Sequence, residues 1–434
     1  MASDESAAAA KDERVERRRA FHTYPEPSWC EFLTTSRLVD AVEDVGVDAL
    51  HVGRDVIAPE HRLGVPEDDV LDRWHERAAD HGARSDVLDA TAGGMTGLVA
   101  VLENGPGPVI GLRVDIDALP VEEATGDDHE PACEGFRSRN AGAMHACGHD
   151  AHMTIGLGVL EELAASEFAG TFKLFFQPAE EVLGGGKPMV ESGHADDLDA
   201  FFAVHVGFGH PTGTIVSGVE KPLAIRQTHA EFTGEAAHAG SAPQAGRDAM
   251  QAMAAAIQNV YGVSRHADAL TRVNVGRAEA GTASNVVADR ATIDLEARAG
   301  TNDVLAYLTE RVDRILGTAA DMHACDLSST TIGKAPRVDS DDTLADVVGD
   351  VASATTAVET VRPTATLGAS EDATYFMRRV RENGGLATYV IVGTDHPGGH
   401  HTPTFDVDEA SLDIGVNVLT EAIRRTFAAD DHRQ

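Results

Sequence analysis

The sequence predicts an α/β protein: a larger domain on a mostly parallel sheet with helices on both faces, interrupted by a smaller α+β domain of ferredoxin-like βαββαβ plan. Three observations carry this. Short apolar runs of strand length recur, "PVIGLRVDI" at 108–116, "TFKLFF" at 171–176, "AFFAVHV" at 200–206 and "ATYVIVG" at 387–393, and apolar residues between them fall at helical spacing, as in Ile155, Val159 and Leu163. Such alternation is the signature of helices layered on a sheet buried on both faces. Polar residues stand at or just past the C-terminal ends of these runs: Asp115 and Asp117, Glu180 and Glu181, and His205. Open α/β sheets bind ligands at that edge. Between 219 and 332 the pattern changes to strand "AIRQTHAEFTG", helix "RDAMQAMAAAIQNVYGV", strand "TRVNVGRAEA", strand "ATIDLEARA", a long helix from about 302 and strand "CDLSSTTIG". That order is the split βαβ plan. The expected organisation is therefore a discontinuous domain of 1–218 and 333–434 with 219–332 inserted. The segment 53–85 reads as a further, partly helical insertion on the surface.

A chain of 434 residues exceeds the roughly 250–300 that one core usually serves, which agrees with two domains. Its 71 acidic against 35 basic residues leave a formal charge of −36, and only five of the basic residues are Lys. Nucleic acid is excluded as a partner on that balance. So large an acid surplus fits a protein kept soluble at molar salt, as in a halophile, where a Debye length of about 3 Å screens the self-repulsion. The first twenty residues lack a signal peptide's apolar stretch and no later run approaches a membrane span, so a soluble cytoplasmic protein with no membrane partner is expected. Four cysteines, at 30, 133, 147 and 325, are too few and scattered for a disulfide framework.

One stretch concentrates chemistry. "AGAMHACGHDAH" at 141–152 places Cys147, His149, Asp150 and His152 together. In an extended loop Cys147 and His149 project to one side, because side chains alternate. Alone, the pair is equally compatible with a buried cysteine acting as a small hydrophobe. "FFQPAEE" adds Glu180 and Glu181 at a strand end, "FFAVHV" adds His205, and "GGHHTPTFD" adds His400 and His401. Each has an ordinary alternative, an acidic turn or a core histidine; together they point to a divalent metal. One carboxylate would neutralise the cation while its neighbour accepts a proton from water acidified to a pKa of roughly 7. A carboxylate base within reach of that water makes a hydrolase.

"HACGHDAH", "LRVDIDALP", "QPAEE" and "HTPTFD", in this order around an inserted βαββαβ domain, resemble the metal-dependent amidohydrolases that include aminoacylases, hippurate hydrolases and auxin-conjugate hydrolases. The similarity runs from "RRRAFHTYPEPSWCEFLTTSRL" to the last helix, and "GRDVIAPEHRLGVPED" at 53–68 is similar to the early insertion of the branch that cleaves aminobenzoyl-glutamate. The resemblance implies Cys147, His149, Glu181, His205 and His401 as metal ligands, with Cys147 bridging two ions, manganese or zinc. His401 is preferred to His400 because it stands four residues before Phe405, as in the family's H-x-x-x-F. It implies Glu180 as general base and Asp117 as the carboxylate that orients a ligand. In the inserted domain it implies His238 as the group that polarises the scissile carbonyl, in many relatives from a neighbouring protomer, and Asn285 and Arg298 as substrate contacts. Asn285 as a capping residue and Arg298 as a surface ion pair are the ordinary alternatives. Val182, where relatives often have Gly, departs from the pattern. Asp150 and His152 read as supports of the ligands or caps of the following helix, and Glu371 and Asp372 as an acidic pair without an assigned role.

The expected activity is hydrolysis of the amide of an N-acyl or N-aroyl amino acid, p-aminobenzoyl-glutamate first. Auxin conjugates, other N-acyl amino acids or dipeptides are alternatives on the same residues. A non-catalytic partner of a hetero-oligomeric hydrolase is the alternative of another class. A homodimer, or a heteromer with a paralogous chain, is the implied assembly.

Overall fold

The structure, a computed structural model, describes residues 2–396 and 398–430. It contains two compact units. The first comprises residues up to Glu220, Val338–Thr366 and the chain from Asp372 onward. The second comprises Lys221–Arg337 with Leu367–Glu371.

The first unit begins with α1 (Ala2–His22) and α2 (Phe32–Val45), followed by β1 (Ala49–Val52), α3 (Asp68–Asp80), β2 (Leu98–Asn104), β3 (Val109–Asp115) and α4 (His149–Ala164). Strands β4 (Gly170–Gln177), β5 (Ala200–Val206) and β6 (Thr214–Val216) precede the second unit. That unit consists of β7 (Ala224–Thr233), α5 (Ala249–Val260), β8 (Thr271–Ala280), β9 (Arg290–Ala299), α6 (Asn302–Met322) and β10 (Asp326–Ala335). The first unit resumes with α7 (Asp342–Ala354), β11 (Thr360–Arg362), α8 (Thr374–Glu382), β12 (Leu386–Val392) and α9 (Ala410–Asp430).

Eight strands form the large sheet in the order β1-β2-β4-β3-β5-β12-β6-β11. The central run β4-β3-β5-β12 is parallel throughout. These are the four apolar runs read from the sequence. Both faces are covered: Leu112, Val114, Leu174, Phe176, Phe202 and Val204 enter the main core with α4, α7 and α9, while Phe175 and Phe201 meet Phe376 of α8, with ring centroids 5.2 Å away in each case. Strands buried on two faces need continuous apolar sequence rather than alternation. Because they are parallel, β3, β4 and β5 deliver their C-terminal ends to one edge, with Asp115 opposite Gln177 and His205 opposite Ile391.

Helix α4 starts at that edge. Its N-cap is Gly148, at φ 83°, where a Cβ would stand 2.5 Å from Val206 Cγ2. Only glycine combines that backbone with such an approach. Ile155, Val159 and Leu163 are fully buried, but so is nearly all of α4, which lies among the sheet, α1 and α9.

The sheet of the second unit has the order β10-β7-β9-β8, antiparallel at each pairing. This is the split βαβ arrangement. Asp248 caps α5 by accepting from the N–H groups of Met250 and Gln251, and Thr301 caps α6 by accepting from that of Val304. The unit extends past the expected end at 332, because β10 stays paired with β7 as far as Ala335 opposite Ile225. Leu367–Glu371 also joins it, with the Leu223 N–H bonded to the Ala369 carbonyl at 3.0 Å, a return that no local sequence pattern signals.

The 53–85 segment forms two short 3-10 turns and α3, and it is more than a surface appendage. Trp29 Nε1 donates to the Leu63 carbonyl at 2.8 Å. That same carbonyl would lie 2.2 Å from a Cβ at Gly184, so the insertion reaches the loop that follows the paired acids. Among the described residues no helix is long and apolar enough to cross a membrane.

Candidate metal centre

The chain leaves the parallel strands within one cluster of donors. The donor atoms of Cys147, His149 and His205 lie within 4.8 Å of one another, as do those of Cys147, Glu181 and His401, and those of His149, Glu180 and Glu181. The first two groups share Cys147. Cys147 Sγ is 3.5 Å from His205 Nε2, His149 Nε2 is 3.6 Å from Glu181 Oε1, and His401 Nε2 is 3.5 Å from Glu181 Oε2. All are buried or nearly so except His401, whose side chain is 55% exposed.

Hydrogen bonds behind the cluster set the tautomers. His149 Nδ1–H donates to the Asp117 carbonyl at 2.8 Å and His205 Nδ1–H to the Val206 carbonyl at 2.7 Å. Each Nε2 therefore turns its lone pair toward the cluster, the arrangement in which imidazole binds a metal. His149 Nε2 is buried without a hydrogen-bond partner among the described residues. A buried ring nitrogen in that state, facing a thiol and carboxylates, fits a divalent cation.

Charge agrees. Burial opposes protonation of His149, yet Asp115, Asp117 and Glu181 raise it to about 10. These carboxylates surround the ring with negative charge that a divalent cation would balance in place of the proton. His205 goes the other way, held well below the usual range by burial and then by His152.

His152 also lies beside Asp115 and His149, but both its nitrogens are engaged. Its Nδ1–H donates to Asp115, and its Nε2 accepts the Val206 N–H at 2.9 Å. It supports the site rather than ligating. Asp150 stands in the first turn of α4, where its Oδ1 accepts the Ala151 N–H at 3.0 Å. Its Oδ2 accepts from Arg18 Nε at 2.7 Å and pairs with His22 Nδ1 at 2.8 Å, tying α1 to the start of α4. Burial pushes Asp150 up, but Arg18 and the His22 bond hold it well below the ordinary carboxyl range. His400 packs against Phe208 and Phe405 rather than joining the cluster.

Asp117 is the hub of the site. Its Oδ2 accepts from Ser28 Oγ at 2.6 Å and from the Glu181 N–H at 3.1 Å, while its carbonyl holds His149. Asp372, without a role in the sequence, accepts from the Gly186 N–H at 2.7 Å and from Gln177 and Arg113, so it anchors the far end of the loop that carries the paired acids. Ser28, Glu31, Arg113 and His22 escaped sequence reasoning. Arg113 carried a signal, a cation inside the apolar run "PVIGLRVDI", whereas His22, Ser28 and Glu31 stand in mixed polar sequence that gives none.

In the second unit, His238 and Asn285 come together. His238 bridges to Val286, and the Ala239 N–H bonds the Asn285 carbonyl at 2.9 Å. Both side chains are exposed, beside a depression of about 480 Å³ lined by Ala239, Gly281, Thr282, Ser284 and Val286. Arg298, on β9, makes a two-bond pair with Glu296 at 3.0 and 2.9 Å. A substrate carboxylate at Arg298 would have to share that guanidinium.

Known proteins extend the reading. Indole-3-acetyl-aspartic acid hydrolase of Enterobacter agglomerans is 40% identical over 411 residues, 94% of each chain. A p-aminobenzoyl-glutamate hydrolase subunit of Escherichia coli strain K12 is 40% identical over 409 residues, 93% of each. The crystal structure of an aminobenzoyl-glutamate utilization protein from Klebsiella pneumoniae matches with a TM-score of 0.83 at 33% identity, over 97% of this chain and 98% of that one. Fold, donors and relatives together define a metal-dependent hydrolase of C–N amide bonds. The family model of peptidase family M20/M25/M40 matches residues 111–425, and the chain belongs to that family.

Proposed function

We propose that this enzyme cleaves the amide between an aromatic acyl group and an acidic amino acid, with p-aminobenzoyl-glutamate as the leading substrate. The carrying observation is the pair of donor groups that share Cys147, with Glu180 beside Glu181 at their rim. Cys147, His149, Glu181, His205 and His401 would hold two divalent ions, manganese or zinc. Bound there, such ions polarise the scissile carbonyl and make water acidic enough to lose a proton near neutral pH.

Glu180 takes the proton of the attacking water and returns it to the leaving amine. Asp117 holds His149 and the Glu181 backbone in place. His238 donates to the developing oxyanion, and Asn285 and Arg298 orient the substrate carboxylates. The names of the two 40% relatives support the substrate class, since both denote an aromatic acyl group joined to aspartate or glutamate. The first name also favours an auxin conjugate as the second substrate to try. The resemblance supports a homodimer, whereas the second relative, itself one component of a hydrolase with more than one kind of chain by its name, favours a heteromer with a paralogue.

The test is metal analysis of the purified chain coupled to amino-acid release from a panel of p-aminobenzoyl-glutamate, indole-3-acetyl-aspartate and aliphatic N-acyl amino acids. Fastest release from the aromatic acidic conjugates is expected. Preference for aliphatic acyl groups removes the substrate assignment, and an inactive chain that needs a second polypeptide supports the reading as a non-catalytic partner. Glu180→Gln should keep its metal while kcat falls by about 10²- to 10⁴-fold. We also propose a cytoplasm of high salt as the working medium; full thermal stability in dilute buffer, equal to that in molar KCl, would refute it.

A further inference from the structure

The backbone of the base is gripped on both sides by carboxylates that the reaction does not consume. Glu31, fully buried just before α2, accepts the Ala179 N–H at 2.8 Å through Oε1 and the Thr96 hydroxyl at 2.6 Å through Oε2. Asp117 accepts the Glu181 N–H, and the Ser28 hydroxyl steadies it. The peptide N–H groups on either side of Glu180 thus go to two different buried carboxylates. Both are secured by one short stretch, "EPSWCE" at 26–31, which supplies Ser28 and Glu31.

The grip is needed because the loop is unusual. Ala179 and Leu183 lie at φ 53° and 51°, left-handed conformations that residues with a Cβ hold only when their surroundings over-determine them. Glu31 is itself held, its carbonyl accepting from the Thr35 N–H at 2.9 Å and the Thr35 hydroxyl at 2.6 Å.

We propose that Glu31 is a positioning residue for the general base: by fixing Ala179 it sets where the Glu180 carboxylate stands, and it touches neither substrate nor metal. The inference rests on Glu180 being the base. It predicts a loss in turnover rather than in binding, since a displacement of about 1 Å in a catalytic group costs on the order of 10²-fold in rate.

The experiment is a kinetic cycle on the metal-loaded full chain with the best amide of the panel. Glu31→Ala should lower kcat by about 30- to 100-fold, with KM within about threefold and metal content unchanged. Glu31→Gln should recover to within about fivefold of the parent, because its amide oxygen can accept the Ala179 N–H while its NH₂ donates to Thr96. In the Glu180→Gln background, Glu31→Ala should add less than about threefold, since the group it positions is already disabled. Thr96→Val, which removes one of the two bonds, serves if Glu31→Ala does not fold, and should show the same cycle at about a tenth of the effect. Parent-like turnover of Glu31→Ala, no recovery in Glu31→Gln, or an equal loss in both backgrounds each overturns the proposal. Near-normal turnover of Glu180→Gln alone would instead sink the base assignment.

Discussion

The donors of the first unit and the residues assigned to substrate in the second differ in how much of their arrangement the fold has already settled. Cys147, His149 and His205 are buried, and both histidines have ring protons committed to backbone carbonyls. His238 and Asn285 are exposed at the edge of a small antiparallel domain, joined to each other by main-chain bonds only. The contrast teaches where specificity and chemistry reside. A metal centre must be rigid before the ion arrives, because its donors cost desolvation and must be pre-aligned. Substrate contacts gain from exposure, since they are completed only when a ligand enters.

The contrast can be broken first at the ligands. Cys147→Ala should lose activity beyond detection and weaken metal binding by well over about 100-fold, more than the loss of a supporting residue brings. Metal analysis after dialysis reads this, and His400→Ala should retain its metal. Arg18→Ala comes next. It strips Asp150 and Asp406 of a buried partner and should cost about 3–5 kcal/mol in urea unfolding, as breaking a buried pair does. A cost below about 1 kcal/mol would mean that the network behind α4 is not structural.

His238→Ala should sharpen the comparison from the other side. As an exposed residue it should leave the unfolding midpoint and metal content unchanged while kcat falls by about 10²- to 10³-fold, the usual cost of removing one oxyanion donor. Concurrent loss of metal would make it a metal ligand rather than an oxyanion donor. The smallest effect belongs to Arg298→Ala. Its partly exposed pair with Glu296 is worth about 0–1 kcal/mol to stability, so a rise in KM for dicarboxylate amides without destabilisation would mark it as a substrate contact. An unchanged KM would leave it a surface ion pair.

Much of the fold was legible because its signals are local. The four central strands announce themselves as apolar runs, and the βαββαβ order of the second unit follows from alternating periods. Its C-terminal limit and the Leu367–Glu371 return were not legible, since strand pairing across more than a hundred residues leaves no periodic trace.

By itself the sequence determined the architecture, the placing of polar motifs at the ends of apolar runs and, through resemblance, a short roster of chemically capable residues. Only the tertiary structure decided what each does there: that His152 has both nitrogens spent while His149 keeps one turned inward, that Asp150 binds α1 as well as the first turn of α4, and that Glu31 and Asp117 close on the two sides of Glu180. The reason is physical. Residue type and spacing define which bonds a side chain can make, but a buried donor's single partner is chosen by which distant strand end or loop the packed core delivers to it.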